Sequence, residues 1–131
     1  MFRLTAEDMD KATAFMRAQR ELPRILEALR RYGGPQTDRL GDEQLRAELR
    51  RTLARCDALG LTSDEDRMAL CLLDASLFPG LRDLPELPAL LNHADGPPEA
   101  RMAALYLAAP PRMWAWLAER APQVRSERGW A

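Results

Sequence analysis

Aliphatic β-branched residues are almost missing from this chain. Ile25 is the only isoleucine and Val124 the only valine, against 22 leucines. Strands favour β-branched residues and helices favour Leu, Ala, Arg and Glu. A sheet is therefore excluded and an all-α fold expected. Lysine is just as scarce: Lys11 stands alone beside 18 arginines. Together with the wealth of Ala, Leu and Pro, this reads as codon bias in a GC-rich bacterium and carries no functional weight. Basic charge is not in excess, since the net charge is −1. A general nucleic-acid or membrane-surface binder is normally basic. No apolar run reaches transmembrane length. The N-terminus, Met1-Phe2-Arg3-Leu4-Thr5-Ala6-Glu7-Asp8, lacks the apolar core of a signal peptide. A cytoplasmic location is expected.

Histidine and cysteine are also sparse. His93 is the only histidine, and Cys56 and Cys71 are the only cysteines. A Cys–His catalytic pair or a histidine metal site would have to use His93. That residue ends a short helix before Asp95-Gly96, where capping or plain exposure explains it. Two cysteines and one histidine match no zinc spacing. The cysteines fall on the inner faces of two helices and read as buried, reduced thiols. No phosphate loop, nucleophile elbow or dinucleotide fingerprint occurs. The chain is thus expected to be non-enzymatic, with no catalytic residue, metal or cofactor and no small-molecule substrate.

What is present is leucine in helical register. At 131 residues the chain makes one domain with a single real core. Residues 62–78, TSDEDRMALCLLDASLF, are the stretch around which the rest is organised. Thr62 with Glu65 reads as a capping box. Asp64, Glu65 and Asp66 suit the positive end of the helix dipole. From Met68 to Phe78 nearly every face is apolar, the mark of a buried helix. Pro79-Gly80 stops it.

Around this centre the sequence predicts a compact bundle of about six to seven helices. Thr5 caps a first helix over about residues 6–20, with Met9, Ala12, Phe15 and Met16 as its apolar side. Pro23 opens a second helix or kinks one long one. Leu22, Ile25, Leu26 and Leu29 continue the apolar face. Residues 33–41 form a polar loop. Asp42 caps a helix to about Leu59, with Leu45, Leu49, Thr52, Leu53 and Cys56 inward and Gly60 at its αL terminus. Prolines restrict the second half to short helices over about 87–93, 98–108 and 111–121. The bundle thus spans residues 1–121, and 122–131 form a flexible tail.

Two surfaces qualify for a partner. Arg46, Arg50, Arg51 and Arg55 form a stripe along the third helix. It serves as a solvated face, or grips an acidic protein or nucleic acid, the protein being preferred because the chain is slightly acidic. In the last helix Trp114 shares a face with Leu117, while Trp116 points about 160° away at 3.6 residues per turn. Trp114 is expected inside. Trp116 is the candidate for a partner surface, with Met113 and Arg120 at helical spacing beside it.

Several segments together resemble a known family. They are Met1-Phe2-Arg3-Leu4, Pro23, the Cys56–Leu61 run into an acidic capped helix, and Pro98-Glu99-Ala100-Arg101-Met102. The chain resembles the small helical accessory proteins of bacterial type VI secretion effector cassettes. The resemblance covers most of residues 1–107. It implies a non-enzymatic protein that binds a toxin or effector from its own locus, as immunity protein or as adaptor. The rivals are a nucleic-acid-binding regulator using the arginine helix and, further off, a small enzyme.

Overall fold

A computed structural model describes residues 5–93 and 96–127, without the side chains of residues 93, 126 and 127. The described residues contain only helices and connections, and no strand. α1 runs Ala6–Tyr32, α2 Pro35–Asp38, α3 Asp42–Leu59 and α4 Asp64–Leu72. A π-helical turn, Leu73–Leu77, continues α4 directly. α5 follows at Leu87–His93, α6 at Arg101–Ala108 and α7 at Pro111–Glu127.

Local chemistry explains most of these boundaries. Thr5 and Asp8 form a reciprocal capping box that starts α1. Pro23 lies inside α1 without ending it, so of the two alternatives it is the single long helix that forms. Gly60, at φ 72°, closes α3 in the left-handed conformation. The start of the central helix differs by one residue from expectation. Ser63, rather than Thr62, is its cap and accepts from the Asp66 amide. Likewise Gly41 precedes α3, and Gln44 reaches back to its amide, where Asp42 was expected to cap.

The π turn has a visible cause. The Ser76 hydroxyl donates to the Leu72 carbonyl and competes with the helix's own ladder. The Phe78 amide then bonds the Leu73 carbonyl, one residue wider than an α-helix allows. Pro79 forbids further helix. Gly80 follows at φ 106°, and a Cβ there would lie 2.1 Å from the Ala121 carbonyl oxygen. Only glycine lets the chain turn this close to α7.

α4 bridges two apolar clusters. Leu22, Ile25, Leu26 and Leu29 of α1 meet Leu45, Leu49 and Leu53 of α3, together with Cys71. Leu70 belongs to the other cluster, with Leu81, Leu84, Leu87, Leu91, Met102, Leu105, Leu117 and Val124. At about 25 cal/mol per Å2 of apolar area withdrawn from water, these two clusters hold the fold. Val124 bears on the expected tail: α7 passes through Pro122 and is anchored by a buried Val124, so residues 122–127 are helical rather than a flexible tail, while 128–131 lie outside the described residues. Two fully buried thiols, Cys56 and Cys71, lie where the clusters join, and both are free. The Cys71 thiol is held well above its ordinary pKa, first by its hydrogen bond with Cys56 and then by burial.

Candidate functional site: an apolar groove beside the central helix

The central helix is not buried on every side. Leu70 and Cys71 are enclosed, yet Ala69, Leu72 and Leu73 are only half-buried and Leu77 is exposed. Ala69, Leu72 and Leu73 face α6, which has no polar face of its own beyond Arg101. α6 turns Met102 and Leu105 into the core and leaves Tyr106 64% and Leu107 83% exposed. Between the two helices lies an open groove of about 780 Å3. Its walls are Ala69, Leu72 and Leu73 on one side and Met102, Ala103, Tyr106 and Leu107 on the other.

One carboxylate fixes this geometry. Asp66 is 1% exposed, and its two oxygens accept from the backbone amides of Arg101 at 3.0 Å and Met102 at 2.9 Å. The first turn of α6 has free amides and no cap from its own neighbourhood. Asp66 supplies that cap from 35 residues away. Arg101 closes the joint by donating to the Leu59 carbonyl and to Asn92. Behind the groove, Trp114 stacks on Phe78 at 5.7 Å and tilts against Tyr106 at 5.5 Å. Three aromatic rings thus prop the outer wall.

The groove's charge is of one sign. Glu65 and Glu99 are exposed at its rim, and neither has an ionic partner among the described residues. Asp66 is consumed by capping. No basic side chain among the described residues lines the groove.

Elsewhere, the buried charged side chains of Arg67, Asp74 and Arg82 are satisfied internally, whereas Glu86 Oε2 is buried without a hydrogen-bond partner among the described residues. Arg67 is 1% exposed and is held by Glu21, Asp57 and the Leu61 carbonyl. Burial alone would lower its pKa, but the hydrogen bonds to Glu21 and Asp57 outweigh that and the net displacement is upward. The π turn points Asp74 inward, where it accepts the Arg82 amide at 2.9 Å. Arg82 in turn donates to the Glu48 carbonyl, the Glu48 carboxylate and Thr52. Burial raises the pKa of Asp74 in spite of Arg82 beside it. These clusters fasten helices together and expose no reactive atom. No group of three or more metal-ligating side chains occurs among the described residues. No helix among them is long and apolar enough to cross a membrane.

The residues singled out from the sequence do not converge on one patch. Trp116 is 39% exposed on α7, and Trp114 is turned inward beside Leu117. Met113, expected beside Trp116 on the surface, instead packs against the core. Arg120 is partly buried and lies 3.6 Å from Glu86. Arg46 and Arg50 are on α3, the first half-buried and the second exposed. The rest of the arginine stripe is occupied: Arg51 pairs with Glu48, and Arg55 donates to the Arg82 carbonyl. Met9, Phe15 and Met16, expected as a core face of the first helix, are exposed. His93 ends α5, and its side chain lies outside the described residues. The groove itself was missed. Its signal was present as two helices lacking a polar face, and only their side-by-side placement converts that into an open surface. The chain matches no known family model, no curated protein and no solved structure.

Proposed function

We propose that this protein is a non-enzymatic binding module for another protein, a toxin or secreted effector encoded at its own locus. It acts there as an immunity protein or as an effector adaptor. The observation that carries the binding reading is the groove between α4 and α6, where Leu107, Tyr106, Leu72 and Leu73 present apolar surface to solvent. A monomeric domain rarely leaves a contiguous apolar patch open unless a partner covers it. The resemblance to type VI secretion accessory proteins supplies the class of partner. A cytoplasmic site of action belongs to the same reading, and the two free cysteines are in keeping with it.

The test is Leu107→Arg. At 83% exposure the side chain contributes little to folding. The variant should melt within about 0.5 kcal/mol of the parent. It should lose at least about 2 kcal/mol in binding the effector or toxin encoded beside it, measured by calorimetry. Unchanged affinity in a folded Leu107→Arg protein refutes the groove as the binding site.

A further inference from the structure

We infer that the groove receives a short amphipathic helix of the partner, with Lys or Arg flanking its apolar face at the Glu65–Glu99 end. The inference rests on the protein-binding reading above. It follows from three features of the groove.

The first is backbone chemistry. An incoming segment must keep its own amides and carbonyls paired once water leaves. The groove walls are side chains of two helices, and no sheet edge exists among the described residues to accept an extended strand. A helix arrives with its backbone already satisfied. The second is size. α6 has 8 residues, so the wall it forms is about 12 Å long at 1.5 Å per residue. That length seats two to three helical turns, hence anchors spaced i, i+3 or i+4, and i+7.

The third is charge. Every charged lining group is acidic, and Glu65 and Glu99 are without ionic partners among the described residues. A basic flank is drawn to that rim and an acidic one is repelled. This same feature excludes the chain's own spare helix. The exposed first half of α1 offers Met9, Phe15 and Met16, but it carries Glu7, Asp8 and Asp10 against Lys11 and Arg17, and Arg17 is already held by Asp64 and the Thr62 carbonyl. A second copy would bring acid to acid.

Synthetic peptides of about 15 residues, the length at which isolated helices begin to hold, test this on the full chain. One has leucine at i, i+3, i+4 and i+7 with lysine elsewhere. A second replaces the lysines with glutamate, and a third is the lysine peptide interrupted by proline. Amide chemical shifts of Ala69, Leu73, Ala103 and Leu107 are followed during titration. The lysine peptide should shift these amides saturably and bind about tenfold more tightly than the glutamate peptide, a gap that narrows with salt. The double variant Glu65→Gln/Glu99→Gln should close most of the gap. Equal binding of both peptides, tight binding of the proline peptide, or no binding of any overturns the inference. The two readings fail separately. If Leu107→Arg releases the natural partner but the lysine peptide does not bind, the protein-binding function stands and the basic helix falls. If the lysine peptide binds while Leu107→Arg leaves the natural complex intact, the groove is not where that partner docks.

Discussion

Removing the Asp66 carboxylate should detach α6 from the central helix. Two backbone amides lose their acceptor in Asp66→Ala. The Arg101 amide is partly buried, and its loss resembles removal of an ordinary helix cap, about 0.5–2 kcal/mol. The Met102 amide is buried, so water cannot replace the carboxylate, and a bare buried donor costs about 1–3 kcal/mol. Together the variant should lose about 1.5–5 kcal/mol. For a chain of this size that lowers Tm by about 5–20 °C. Asp66→Asn keeps one acceptor oxygen and places an amide nitrogen against the other donor, so its loss should be intermediate. Urea melts give the totals. Hydrogen exchange gives the location: α6 amides should lose protection first, while Leu22–Leu29 and Leu45–Leu53 keep theirs. The reasoning is refuted if Asp66→Ala unfolds within about 0.5 kcal/mol of the parent, or if protection falls evenly across both core clusters.

Two further outcomes follow from the structure. Trp114→Ala removes the ring between Phe78 and Tyr106 and should cost about 3 kcal/mol in denaturant melts. Trp116→Ala, at a residue 39% exposed, should cost less than about 1 kcal/mol, and equal losses would show that α7 is oriented otherwise. Burial raises the pKa of Asp74, so the folded state holds that proton more tightly than the unfolded chain. The stability this confers is present at low pH and is lost as pH rises through the folded pKa. Asp74→Asn removes the titration. Its stability relative to the parent should therefore improve as pH is raised from the ordinary carboxylate value of 3.8. A constant difference between the two proteins from pH 3.8 to 7 would contradict it.

The helices were legible because they are written in local terms. Near-absence of Ile and Val, leucines at helical spacing, Thr5 before the first helix and Gly60 after the third each act within a few residues. The boundaries that moved are those where two local rules compete. Thr62 and Ser63 are both good caps, and only the chain's path selects Ser63. Pro23 permits a kink or a break, and packing of Leu22, Ile25 and Leu26 against α3 keeps α1 continuous. Pro122 looked like a terminus, but burial of Val124 outweighs the one hydrogen bond that proline removes.

The candidate site was illegible for a different reason. An apolar stretch without a polar face has two physical solutions, enclosure or an open surface, and they have the same sequence. Leu70 and Leu72 are identical residues two positions apart; one is wholly enclosed and the other half open. What separates them is the face of α4 that each takes: two positions apart they point about 200° apart, Leu70 into the cluster it shares with Met102 and Leu105 and Leu72 onto the groove. The groove's other wall, α6, is held by Asp66, which in sequence looks like one more acid in the first turn of its own helix. Its carboxylate instead completes a helix 35 residues later. A cap acting at such range leaves no periodic trace. The same carboxylate that joins α4 to α6 therefore holds the open face between them, and the two exposed glutamates beside it give that face its sign.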